Sequence, residues 1–283
     1  MIKSLQNEYG NRDRRNKTLI PLATILFLTF LITAFYNLAT PPVELDDRLC
    51  PKKDGPKGAT VLLLDTSDPL TPKHTEELRR LASQISSEDT TKPGGNAKNS
   101  LGIQPQELLA VYELSQNPGS PSELIEVCRP SKSPDNRDWR DDIRRGRRFY
   151  EREWESFEKE LENIFPKTEG RPQPSSPILE TITVLSARYA SGKRGNSQFK
   201  THLIVFSDLM QHTSRLSHYK TYPEAKVMRQ FFPDLLTDLT DVSVSLFRLE
   251  RPEYSKFQDE NHYYWWTELV IEQGGKVVNQ DTF

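Results

Sequence analysis

The sequence predicts an α/β protein: a three-layer sandwich around a mostly parallel central sheet with one antiparallel strand, preceded by one transmembrane helix. Three observations carry this. Short apolar runs of strand type alternate with amphipathic helical stretches, the pattern of strands joined by helical crossovers. Two of the runs, Val61-Leu62-Leu63-Leu64 and Leu203-Ile204-Val205-Phe206, are apolar throughout, as strands covered on both faces are, and each leads into an aspartate, Asp65 and Asp208. Residues 18–43 carry no charge, and Leu19 to Leu38 is almost wholly apolar over about the length needed to cross a bilayer.

Taken in order, the chain begins with Lys3, Arg12, Arg14, Arg15 and Lys17 ahead of the apolar stretch, whereas Glu44, Asp46 and Asp47 follow it. That asymmetry places the N-terminus in the cytoplasm and the body outside. The expected division is a cytoplasmic tail over 1–17, a membrane helix over 18–40, a linker over 41–57 and a folded domain over 58–283. A cleaved signal peptide fits less well, because the apolar stretch is long for one and Asn37-Leu38-Ala39 is a poor cleavage site. With 2 cysteines there is neither a disulfide framework nor a four-cysteine zinc site. Outside the cytoplasm Cys50 and Cys128 could form one bridge, and two unpaired thiols fit the sequence equally. Beyond the membrane segment there is no Asn-x-Ser/Thr sequon, which favours a bacterial inner membrane with a periplasmic domain.

Within the domain, Ala59 to Asp65 is the first strand. Pro72 to Ile85 has Leu78, Leu81 and Ile85 at helical spacing, with proline in the first turn. Ser86 to Gln104 is polar loop. Glu107 to Leu114 and Leu124 to Cys128 are strand-like and joined by Asn117-Pro118-Gly119-Ser120-Pro121, which predicts a hairpin and supplies the antiparallel strand. Trp139, Ile143, Tyr150, Trp154, Phe157, Leu161 and Ile164 line one face of a helix from about Arg137 to Phe165. Pro166 to Ser175 is a loop, Pro177 to Tyr189 a helix, Thr201 to Ser207 a strand, Glu224 to Leu236 a helix and Val242 to Leu249 a strand. Tyr254 to Glu272 is the last helix, ended by Gly274-Gly275, and Lys276 to Val278 a small final strand.

This element order, with an aspartate at the carboxyl end of the first and fourth long strands, resembles that of a von Willebrand factor type A (integrin I-like) domain over roughly Gly58 to Val278. The resemblance implies a Rossmann-like sheet in which the first and fourth strands are neighbours, so that Asp65 and Asp208 face each other at the switch point. Members of that family often hold a divalent cation through Asp-x-Ser-x-Ser, a threonine on a second loop and an aspartate on a third. Matched residue by residue, this implies Asp65 and Ser67, Ser176 in place of the threonine, and Asp208, with Mg²⁺ or Mn²⁺ as the cation. Pro69 stands where the motif has its last serine, which removes a hydroxyl ligand and stiffens the loop, so any cation held here is held weakly. The same residues have a structural reading, with Asp65 and Ser67 as helix caps and Ser207-Asp208 as a turn.

Other features carry less. The net charge of −2 gives no reason to expect nucleic acid as a partner. His74, His202, His212, His218 and His262 show no metal-ligand spacing. The Arg144, Arg145, Arg147 and Arg148 run is followed by Glu151, Glu153 and Glu155 and reads as a solvated helix face. In Tyr263-Tyr264-Trp265-Trp266 four consecutive helical positions cover more than half the circumference, so some must be core, the favoured reading, and one or two can be left for a partner surface. An enzyme is disfavoured. A phosphatase with an aspartyl nucleophile needs an aspartate where Ser67 stands, and no Gly-x-Ser-x-Gly, Gly-x-x-x-x-Gly-Lys-Ser/Thr or Gly-x-Gly-x-x-Gly occurs. The expected function is a membrane-anchored protein-binding or assembly module that uses the sheet rim. Its alternatives are a metal-free scaffold of a membrane complex and, further off, a hydrolase.

Overall fold

A computed structural model describes residues 24–32, 34–35, 43–86, 101–117, 119–132, 147–162, 164, 172–189 and 199–283. The elements are β1 (Gly58–Leu64), α1 (Pro72–Ser86), β2 (Leu108–Glu113), β3 (Ser122–Cys128), α2 (Arg147–Glu162), α3 (Ile178–Tyr189), β4 (Lys200–Ser207), α4 (Met228–Phe231), β5 (Val242–Arg248), α5 (Glu260–Glu272) and β6 (Lys276–Thr282). They form one six-stranded sheet in the order β3-β2-β1-β4-β5-β6. β1 pairs in parallel with both β2 and β4, β4 with β5 and β5 with β6, while β2 and β3 are antiparallel.

Every residue of β1 is buried, and its alternate side chains divide between two cores. Ala59, Val61 and Leu63 join Ile178, Leu179, Ile182 and Leu185 of α3 and Trp265, Trp266, Leu269 and Val270 of α5. Leu62 and Leu64 face Leu78, Leu81 and Ile85 of α1 and Phe157 and Leu161 of α2. Helices therefore cover both faces, which explains why the strand carries no polar alternation. In the aromatic run, Trp265 and Trp266 are core, the Tyr263 hydroxyl donates to the Leu246 and Asp281 carbonyls at 2.8 and 3.1 Å, and Tyr264 is left exposed.

Two expected helices differ. Glu224 to Leu236 is broken into a 3-10 turn at Ala225–Val227, the single turn α4, and a second 3-10 turn at Pro233–Leu235. Pro233 has no N–H and its ring excludes a helical residue before it, so Phe232 takes φ −139° and ψ 56°. The last helix begins at Glu260 rather than Tyr254. Asp259 accepts the His262 N–H at 2.8 Å as its N-cap, and Pro252–Tyr254 forms a separate 3-10 turn. The final strand extends to Thr282, beyond the expected Val278.

Residues 18–23, 33 and 36–40 of the expected membrane span, and residues 137–146, 163 and 165 of the expected long amphipathic helix, lie outside the described residues. Residues 24–32 and 34–35 are helical, and Ile25, Leu26, Phe27, Leu28, Phe30, Ile32 and Phe35 are all exposed. Among the described residues no helix is long and apolar enough to cross a membrane.

The linker is fastened to one end of the sheet. Cys50 and Cys128 form a disulfide with their Cα atoms 5.0 Å apart, the Cys128 N–H donates to the Arg48 carbonyl at 2.7 Å, and Arg48 pairs with Glu126 at 2.6 Å. Cys128 is opposite Leu108 in the register, so this staple sits at the amino end of the parallel strands. The bridge spans 78 residues, and the loss of chain entropy from so long a loop in the unfolded state stabilises the fold by roughly 4 kcal/mol. The Cys50→Ser/Cys128→Ser variant should melt about 10 °C below the oxidised protein. Thermal melts with and without reductant check this, and reduction should lower the wild type to the melting temperature of the variant.

Candidate functional site

The opposite, carboxyl end of the sheet is built by the register of β1 and β4. Leu64 pairs with Phe206, and beyond the strands the Asp65 N–H still donates to the Phe206 carbonyl at 2.9 Å. Asp65 therefore leaves β1 at the level of Ser207, with Asp208 one residue further, and both aspartates are buried. The Asp65 carboxylate accepts three bonds: Oδ1 from the Ser67 N–H at 3.0 Å, and Oδ2 from the Ser207 hydroxyl at 2.7 Å and the Ser176 hydroxyl at 3.2 Å. The residues expected to gather at this rim do gather. Asp65 is bonded to Ser67 and Ser176, and those two line a common cleft with Asp208.

Asp208 sits on a strained turn. Leu209, buried, takes φ +62°, a left-handed conformation that costs a branched side chain roughly 1–2 kcal/mol. Side chains enforce it. The Ser207 hydroxyl accepts the Leu209 N–H at 2.8 Å, Asp208 Oδ1 accepts the Met210 N–H at 2.8 Å, and Trp266 Nε1 donates to the Leu209 carbonyl at 2.9 Å. Burial pushes the Asp208 carboxyl up from the ordinary carboxylate range, with the Asp65 charge adding to the rise. The Met210 N–H and the Arg251 guanidinium act in the opposite direction. Arg251, as buried as Asp208, brings Nε to 3.6 Å from Asp208 Oδ2 and donates Nη1 to the Pro69 carbonyl at 2.8 Å and Nη2 to the Asp68 carbonyl at 3.2 Å. Gln258 fixes both partners: its Oε1 accepts the Arg251 N–H and its Nε2 donates to the Asp208 carbonyl, each at 2.9 Å.

Above these groups lies a cleft of about 280 Å³ lined by Ser67, Asp68, Ser176, Asp208, Tyr219 and Tyr254, among others. The Tyr254 hydroxyl donates to Asp68 Oδ2 at 3.2 Å, and the Tyr219 and Tyr254 rings meet edge-on at 5.4 Å. Burial, and then the Asp208 charge, raises the Tyr219 phenol above its ordinary range, so it stays protonated as a donor. The far wall is locked by paired backbone bonds between Ser176 and His212, at 2.8 and 2.9 Å. Gln211 Oε1 accepts the Leu179 N–H at 2.9 Å in the first turn of α3. The cleft is polar and braced from several elements.

As arranged, the donor set is a poor fit for a divalent cation. Both Oδ atoms of Asp65 accept hydrogen bonds, two hydroxyls point their protons at Oδ2 rather than their lone pairs at an ion, and a guanidinium already faces Asp208. Among the described residues no group of three or more His, Cys, Asp or Glu is placed to hold a metal ion. Ser176 and Ser207 donate to the Asp65 carboxylate rather than to an imidazole, and the imidazole at the cleft, His212, bonds Ser217 at 2.8 Å, whose hydroxyl also accepts the Tyr219 N–H. Sequence reasoning missed Arg251, Gln258 and the two tyrosines. Arg251 and Gln258 follow β5, the strand next to β4, and their only signal was position beyond a strand's carboxyl end. Neither a scan against protein-family models nor a search of curated proteins returned a match to this chain.

The turn also rests on a buried imidazole pair, His218 Nδ1 and His262 Nε2 at 2.8 Å, enclosed by Tyr222, Trp265 and Trp266. Burial holds His218 down to about 3, helped by His262, and holds His262 down to about 4, helped by Arg248. The unfolded chain binds protons at these sites near pH 6.5 and the folded chain does not. Stability is therefore full above about pH 6.5 and lost as pH falls toward 4. Melting temperature should decline from about pH 7 to about pH 5, with a shallower decline in His218→Phe/His262→Phe. Separately, Asp65→Ala strands three buried donors and should cost about 3 kcal/mol, measured by chemical denaturation.

Proposed function

We propose that the chain is a membrane-anchored protein-binding or assembly module, held by one helix in a bacterial inner membrane with its domain in the periplasm, and that the carboxyl-end rim takes up a protein partner. The observation that carries this is the opposition of the two ends of the sheet. The linker and disulfide hold the amino end, and the braced polar cleft lies at the other, about 23 Å away along seven residues of β1. A helix anchored in the bilayer ahead of the linker would turn the cleft away from the membrane, toward a partner.

The exposed side chains of Ile25, Leu26, Phe27, Leu28, Phe30, Ile32 and Phe35 support the anchor, because such a surface calls for lipid or another apolar cover. The Cys50–Cys128 bridge supports a compartment outside the cytoplasm, where disulfides persist. The parallel β1–β4 pair is what the type A resemblance implied, although sheets of this class serve many functions. The partner is a protein rather than nucleic acid, since the cleft offers carboxylates and tyrosines and the chain has no cationic excess. Of the two variants, a cation-dependent rim and a metal-free one, the metal-free rim is favoured by Arg251.

Because Asp65 is structural, the functional probe has to be a cleft residue at the surface. A photo-crosslinking amino acid at Asp68 or Tyr254 of the full-length protein in its native membranes should yield protein adducts, and one at Lys53, near the staple, should not. Protease added to spheroplasts should digest the domain. Adducts at Lys53 alone, none at either site, or a domain protected from protease would contradict the proposal.

A further inference from the structure

We infer that Arg251 is the resident cation of the rim, so that the chain itself closes the charge that a divalent ion would otherwise have to close. Two carboxylates, Asp65 and Asp208, are buried at adjacent strand ends, and burial of unpaired charge is among the costliest arrangements a fold can contain. Arg251 comes from beyond β5, and the strand order β1-β4-β5 means that it must cross the end of β4 to reach the loop after β1. It does so. Its guanidinium, carried by the loop after β5, touches the loops after the other two strands: Asp208 at 3.6 Å after β4, and the Pro69 carbonyl at 2.8 Å and the Asp68 carbonyl at 3.2 Å after β1.

The departure from the type A motif and the presence of the arginine are complementary. Where a serine would offer a hydroxyl to an ion, Pro69 has none, and its carbonyl is instead an acceptor for the guanidinium. The fork is planar and always charged, so two of its nitrogens can engage carbonyls while the third faces a carboxylate. Among the described residues Arg251 Nε has no hydrogen-bond partner, and Asp208 is the charge it meets. Gln258 holds the Arg251 N–H and the Asp208 carbonyl with one amide, fixing cation and anion as a unit. The Ser67 N–H and the Ser176 and Ser207 hydroxyls satisfy Asp65 without any ion. The inference stands whether or not a partner docks in the cleft above.

Thermal melts of the full-length chain in detergent, with millimolar Mg²⁺ or Mn²⁺ against chelator, test this together with Mn²⁺ titration calorimetry. Wild type and Pro69→Ser should melt within about 1 °C in metal and in chelator and give no binding heat. Arg251→Met should melt about 10 °C lower, regain several degrees when Asp208→Asn is added, and gain stabilisation by Mn²⁺. Arg251→Lys, which keeps the charge and loses the fork, covers the case in which Arg251→Met does not fold: it should melt below wild type and remain indifferent to metal. A wild type stabilised several degrees by either ion, or an Arg251→Met protein as stable as wild type in chelator, overturns the inference.

Discussion

The parallel pairing of β1 with β4 places two aspartates at one buried edge, and most of the rim is arranged around that fact. Leu64 lies level with Phe206, so the chain leaves both strands at the same height and the carboxylates follow within two residues of each other. At such a place each charge needs partners that water cannot supply. Asp65 has an N–H and two hydroxyls; Asp208 has an N–H and a guanidinium. The left-handed Leu209, the Gln258 amide and the Trp266 indole bond are the scaffolding that keeps those partners in position. The strain at Leu209 is sustained because three side chains oppose its relaxation.

On the function proposed above, the same sheet separates attachment from recognition. One end is tied by a disulfide and an ion pair to the chain that leads back to the apolar helix, while the other presents tyrosines and a carboxylate around an open cleft. The rigidity of a fully buried central strand is what lets the two ends keep a fixed relation. If the helix is an anchor and the cleft a docking site, as proposed, a module of this shape holds its partner at a set height without any moving part.

Much of this was legible in the sequence, for identifiable reasons. Continuous apolar runs in β1 and β4 marked strands covered on both faces, and the aspartates after them marked the edge at which a site would form. The hairpin was legible from its Pro- and Gly-rich connection, and four consecutive aromatics required that some be core, although not which of them. The breaks were harder. Pro233 divides a stretch whose apolar spacing is helical on both sides, and Asp259 starts α5 six residues later than the aromatic pattern suggested. The Cys50–Cys128 pairing was open because nothing in sequence fixes the distance between a linker and the hairpin strand. Arg251 was invisible for a related reason: its role depends on which strand lies beside which, and a lone arginine after a strand carries no spacing signal.

The most direct test of whether the rim is closed from within is a crystal structure of the full-length protein grown in millimolar Mn²⁺, with data collected at the manganese absorption edge. A rim closed from within gives no anomalous peak between Asp65 and Asp208 and keeps the Arg251 guanidinium seated against Asp208 and the Asp68 and Pro69 carbonyls. A manganese peak at the rim, with Arg251 displaced from Asp208 and the Ser67 or Ser176 hydroxyl turned toward the ion, would contradict it.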